Sequence, residues 1–222
     1  MPLSHFVPLF KLSLPTLIYP AILPKPPTPF IPYGFKIPAQ NLESPHNPKA
    51  IVIFIGGFCD TIMCAVFKNF IIFNEESCLK IYASFNSKTL FSAWLPLLAK
   101  SHLPLFVIAH SWGANNFYKA LNNLNQNAHQ VALHYLLTLD PVGICVPKTR
   151  PPHIKLWENV YIAAKHTHLR RPNIAALIGG AWNALDVSDY NIALQKPNHH
   201  ASINQMIEST QFYSTLTRII RV

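Results

Sequence analysis

Leu105-Phe106-Val107-Ile108-Ala109-His110-Ser111-Trp112-Gly113-Ala114-Asn115 decides how this chain is read. Behind Pro104, the apolar run over residues 105–109 has the composition of a strand buried on both faces, as in a parallel sheet. A single serine follows, and a helical pattern begins at once, with Phe117, Tyr118, Leu121 and Leu124 on one face of residues 115–124. Small residues stand two before the serine (Ala109) and two after it (Gly113). A sharp strand-to-helix elbow needs them, because the serine takes a strained backbone conformation and its neighbours at −2 and +2 crowd together. Such an elbow lifts Oγ over the carboxyl edge of the sheet, where ligands bind in open α/β folds. It also turns the N–H groups of the helix start toward a developing oxyanion. The plainer alternative is a serine that caps an ordinary helix.

Outward from the elbow the same alternation repeats. Ile51-Val52-Ile53-Phe54-Ile55 is a continuous β-branched run ended by Gly56-Gly57. Residues 79–85, 131–139 and 160–163 read as further strands. Helices are expected over 61–69, over 88–101 with Pro96 as a kink or boundary, and over 202–217 at the end of the chain. Apolar strands alternating with helices predict an α/β fold, a mostly parallel central sheet with helices on both faces. This domain is expected over residues 49–222, preceded by a proline-rich apolar arm and linker over 1–48 that holds 12 of the 20 prolines. An extended strap on the domain surface is one reading of that arm, and a segment touching membrane or a partner is the other. Part of 35–50 is a linker or a first edge strand.

The elbow Ala109-His110-Ser111-Trp112-Gly113 resembles the G-x-S-x-G turn of the α/β-hydrolases, among them small bacterial lipase- and esterase-like members. Ala109 stands for the first glycine of the pattern. The resemblance implies Ser111 as nucleophile, with an oxyanion hole from the backbone N–H groups of Trp112 and Phe58, the latter in the Gly56-Gly57-Phe58-Cys59 loop; Gly57 is the alternative donor. Without Gly-Lys-Ser/Thr after it, that loop is not a phosphate cradle. A serine hydroxyl needs a general base oriented by a carboxylate, and in this fold the chain order is Ser, acid, His. His199 and His200 are the histidines late enough, and His200-Ala201-Ser202-Ile203, at the start of the last helix, fits the resemblance better. After Ser111 the acids are Asp140, Glu158, Asp186, Asp189 and Glu208. Asp140 closes a buried strand in Leu139-Asp140-Pro141-Val142, at the edge that carries Ser111. Asp189 and Asp186 follow the next strand, the more usual place in the family. The expected constellation is therefore Ser111, Asp140 and His200, with Asp189, Asp186 and His199 as alternatives.

Composition bounds the rest. Charged residues make up 12% of the 222, about half the ordinary share, and the formal net charge is +9. Nine carboxylates are too few for a site built on clustered acids. No nucleic-acid module is visible, so the positive balance points to an anionic membrane surface. The basic cluster Lys148, Arg150, Lys155, Lys165, Arg170 and Arg171 reads as a solvated face or an anionic headgroup site. No cofactor and no metal are implied: His153, His166 and His168 lack ligand spacing with Cys or carboxylates, and the four cysteines read as free thiols. No stretch has the ~18 apolar residues of a membrane span, and no signal peptide is recognised. A cytoplasmic or membrane-peripheral place is expected. The resemblance implies a serine hydrolase acting on a carboxylic ester. The low charge and apolar arm favour a lipid or other acyl ester. Readings of other classes are a non-catalytic hydrolase-like protein that binds a ligand or partner in the same pocket, and a membrane-interaction protein.

Overall fold

The computed structural model describes residues 17–27, 39–58, 60–124, 131–167 and 169–221. The expectations for most of the proline-rich arm, and for Cys59 and His168, lie outside the described residues. Strands β1 (Leu17–Pro20), β2 (Ala39–Leu42), β3 (Ala50–Ile55), β4 (Cys78–Ala83), β5 (Leu105–His110), β6 (Leu133–Leu139), β7 (Trp157–Ile162) and β8 (Tyr190–Leu194) form one sheet. Its order is β2-β1-β4-β3-β5-β6-β7-β8. From β4 to β8 every pairing is parallel; β1 pairs antiparallel with β4 and parallel with β2, so β1 and β2 run opposite to the other six strands. The helices are α1 (Asp60–Met63), α2 (Ala65–Ile72), α3 (Lys88–Ala99), α4 (Ser111–Asn122), α5 (Arg171–Ile178), α6 (Ile203–Glu208) and α7 (Phe212–Ile220).

The apolar runs form central strands because both sheet faces are covered. Alternate residues of β3 supply the two layers. Ile51, Ile53 and Ile55 pack with Phe91, Trp94 and Leu98 of α3 and Phe117 and Leu121 of α4. Val52 and Phe54 pack with Phe70 of α2, Met206 and Ile207 of α6, and Phe212 and Leu216 of α7. Each such side chain taken fully from water contributes about 1.5–3 kcal/mol, which is why these strands tolerate no polar interruption.

Two expectations change, and the alternative left open at Pro96 is narrowed. The predicted helix over 61–69 is two helices, α1 and α2, separated at Cys64, whose φ is 52°. The buried Asp60 carboxylate accepts the N–H groups of Val66 (2.7 Å) and Phe67 (3.2 Å), so it fixes where α2 starts. Pro96 does not bound α3; it lies inside it, because Trp94, Leu95 and Leu98 around it are all buried. The predicted closing helix over 202–217 is α6 and α7, broken where Gln211 N–H donates to Glu158 (3.0 Å).

The arm divides as well. Ala39–Leu42 is the edge strand expected within 35–50. Leu17–Pro20 is also a strand of the same sheet, so pieces N-terminal to residue 48 belong to the domain's layer rather than lying over it. Tyr19 meets Trp94 edge-on at 5.6 Å, and the Trp94 indole N–H donates to the Pro24 carbonyl at 2.9 Å.

Candidate active site

Parallel strands deliver their loops to one edge, and β3, β5, β6 and β8 each bring a candidate group there. At the end of β5, Ser111 has φ 55°, the left-handed region an L-residue adopts only under strain of about 1–3 kcal/mol. The strain is held by close packing. A Cβ on Gly113 would stand 2.2 Å from the Gly56 carbonyl oxygen, and one on Gly57 would stand 2.7 Å from Ser111 Cβ. The glycine at +2 is thus required first of all by the loop after β3, whose Gly56 carbonyl is its nearest neighbour.

Asp140, at the end of β6, also has positive φ, 39°. His200 lies in the loop between β8 and α6. Its Nε2 is 2.9 Å from Ser111 Oγ, and its Nδ1 is 2.6 Å from Asp140 Oδ2. All three residues are buried. An ionised Asp140 accepts only, so Nδ1 carries the ring proton, and Nε2 is left to accept from the serine hydroxyl.

Three further side chains, Lys165, His110 and Asn173, hold this chain of bonds. The Lys165 ammonium is 2.6 Å from Asp140 Oδ1, which also accepts the Ile162 N–H at 2.9 Å. Lys165 is itself buried and donates to the Ile162 carbonyl at 3.0 Å. Burial alone would raise the Asp140 carboxyl. The hydrogen bond and charge of His200, together with the Lys165 ammonium, overcome that and hold it below the usual carboxylate range. His110 donates Nε2–H to the His200 carbonyl at 2.8 Å, with the two rings 4.5 Å apart. Burial, with the neighbouring His200 charge, pushes the His110 imidazole down to about 3, so it stays neutral. The Asn173 side-chain oxygen accepts the His200 N–H at 2.8 Å.

The alternatives lie elsewhere. His199 closes a local turn, taking the Ala201 N–H on Nδ1 at 3.2 Å and giving its own N–H to Ser202 Oγ at 3.0 Å. Asp189 binds Arg150 and the Trp157 N–H, both at 2.7 Å, and Asp186 is exposed. The basic cluster is dispersed: Lys165 faces Asp140, Arg150 faces Asp189, and Lys155 lies 3.0 Å from His134. Lys165, Asn173 and the anchoring role of His110 were not foreseen. A lysine three residues past an apolar strand reads like any surface lysine, and only the β6–β7 register shows what it faces.

Ser111 and His200 open into a cavity of about 660 Å³. Phe58, Phe85, Trp112, Val142, Ala175 and Ile178 make its wall mostly apolar, and Asn86 and Asn116 are its amides. Phe58 and Trp112 flank Ser111 there, from the β3 loop and from the start of α4.

A largely parallel eight-stranded sheet with a strained serine elbow between β5 and α4 settles the architecture. The chain has the α/β-hydrolase fold. Its acid candidate sits one strand earlier than is usual there. No protein-family model matches the chain, and no curated protein matches it. Solved structures align with it, among them these two. One is TT1662 from Thermus thermophilus, at 11% identity over 81% of this chain and 92% of that one, with a TM-score of 0.45. The other is YbtT, the type II thioesterase of the yersiniabactin NRPS/PKS biosynthetic pathway, at 10% identity over 81% and 96%, also with a TM-score of 0.45. The fold assignment rests on the strand order and the elbow.

Proposed function

We propose that this protein is a serine hydrolase that cleaves a carboxylic ester, a lipid or other acyl ester, through an acyl-enzyme on Ser111. The single observation that carries the reading is the hydrogen-bonded chain from Ser111 Oγ through the His200 ring to Asp140. In the first half-reaction Oγ attacks the ester carbonyl while His200 Nε2 takes its proton. The carbonyl π electrons move to oxygen, where the N–H groups of Phe58 and Trp112 stabilise the anion. The tetrahedral adduct collapses, the C–O bond to the alcohol breaks, and Nε2 returns its proton to the leaving alkoxide. Asp140 holds the tautomer and stabilises the imidazolium. In the second half-reaction water is deprotonated by the same Nε2 and attacks the acyl carbon. The acid is released, and Ser111 recovers its proton.

The apolar wall of the cavity supports an acyl substituent of low polarity, since burying its chain supplies about 0.8 kcal/mol per methylene. Labelling with a fluorophosphonate tests the reading. Native protein is expected to label, and Ser111→Ala is not. Undiminished labelling of Ser111→Ala overturns the assignment. A native protein that never labels, yet takes up apolar ligands in the cavity, is a non-catalytic binding protein.

A further inference from the structure

Helix α5 is built inside out. Of its eight residues only Asn173 and Ala176 are buried, while Ile174, Ala175, Leu177 and Ile178 face solvent. Ile178 is 83% exposed. The helix forms part of the cavity rim, since Ala175, Ile178 and Gly179 line it. The apolar surface continues past the helix. Gly143 N–H donates to the Gly180 carbonyl at 2.8 Å, and this brings Ile144, 87% exposed, beside the end of α5. Across the mouth stands Phe58, 61% exposed. Scattered exposed apolar residues need no explanation, but a contiguous set around a cavity mouth marks an interaction surface.

Charge identifies what the surface meets. Between Asp140 and Asp186 the only acid is Glu158, and it is buried against the Tyr135 hydroxyl. This whole stretch therefore presents no carboxylate to solvent. Arg170 and Arg171, at the start of α5, are exposed, and among the described residues neither guanidinium has a carboxylate partner. An apolar helix face with two unpaired arginines at its end matches the two layers of an anionic bilayer surface, acyl region and headgroup.

We propose that the protein docks on anionic lipid surfaces through the α5 face, with Ile144 and Phe58 as the remaining apolar rim and Arg170 and Arg171 on the headgroups. Docking in this pose turns the cavity mouth toward the lipid, so that an acyl chain passes from bilayer to Ser111 without crossing water. The inference deepens the hydrolase reading and rests on it for the purpose of docking.

Sedimentation with vesicles of phosphatidylglycerol and phosphatidylcholine, against phosphatidylcholine alone, tests it. Native full-length protein is expected to bind the anionic vesicles, and more weakly as salt rises. Arg170→Glu with Arg171→Glu is expected to weaken partitioning on the order of thirtyfold. Ile144→Asp with Leu177→Asp is expected to abolish it. None of these four side chains lines the cavity, so each variant keeps native fluorophosphonate labelling, which also certifies its fold. Ser111→Ala is expected to bind vesicles like the native protein. Native labelling without vesicle binding overturns the docking and spares the hydrolase; vesicle binding without labelling does the reverse. Binding that survives both double variants overturns the proposal, as does a native dimer in sedimentation velocity that Ile144→Asp with Leu177→Asp dissociates.

Discussion

Lys165 shows what a single residue contributes when burial raises the stakes. Its ammonium and the Asp140 carboxylate are both almost wholly out of water, 2.6 Å apart. Two such charges repay their desolvation only together, so removing one leaves the other unpaired at a cost of about 3–5 kcal/mol. Lys165→Met is expected to lose stability on that scale in urea unfolding at pH 7. Asp140→Asn strands the lysine and also releases the His200 tautomer, so it is expected to lose about four orders of magnitude in turnover. The double variant Lys165→Met with Asp140→Asn is expected to unfold less readily than the sum of the singles requires, by about 1–3 kcal/mol. Strict additivity would mean that Lys165 does not hold the acid. Ser111, Asp140 and His200 were each legible because a local pattern marked them: an elbow, a strand ended by an acid, and a late histidine before a helix. Lys165 carries no local mark, since its partner is 25 residues away across a strand pairing.

Between β5 and α4 the element scale takes over. The elbow holds because α4 approaches the loop after β3 so closely that Gly113 has no room for a methyl group beside the Gly56 carbonyl. Gly113→Ala must push helix and loop apart. Overpacking of this kind costs about 1–3 kcal/mol. Because Phe58 sits in that loop, the variant is also expected to slow fluorophosphonate labelling well beyond what its lower melting temperature explains. Native labelling rates with lowered stability would dissociate the loop from the oxyanion role proposed for it. Elements buried on both sides were legible as apolar runs, and β3, β5 and β6 lie within one or two residues of where they were expected. Elements at the margins were not. β8 has no fully buried residue: Ile192 and Leu194 are half-buried and the residues beside them are exposed, so no continuous apolar run marks it. α5 turns its apolar residues outward, and a period that serves a surface rather than a core was not read as a helix. The break between α6 and α7 is set by Glu158, far off in sequence, which no window over 202–217 contains.

For the whole molecule, the buried titratable groups set how stability follows pH. His110 is held neutral in the fold, with its imidazole pushed down to about 3 by burial and the His200 charge, whereas in the unfolded chain it takes up a proton near 6.5. Between those values the unfolded state binds more protons than the native one, so stability falls as pH falls through that window. The slope reaches about 1.4 kcal/mol per pH unit for one fully coupled group. His134, lowered by burial and then by the Lys155 charge, acts in the same sense. Asp140, held below its ordinary value, adds a loss that begins only as pH drops below the unfolded carboxylate range. Asp60 opposes these: burial raises its carboxyl above the usual value despite the Tyr82 and α2 hydrogen bonds, so its contribution falls as pH rises through the acid range. From pH 6.5 downward the loss is led by His110, which stays unprotonated in the fold until about pH 3 while the unfolded chain takes up its proton. Unfolding free energy from urea titrations is therefore expected to be level above pH 7 and to decline below 6.5. His110→Gln still offers an amide N–H to the His200 carbonyl but carries no titrating group, so it is expected to flatten most of that decline. An equal slope in native and variant protein over pH 6.5 to 5 would move the acid sensitivity away from the elbow.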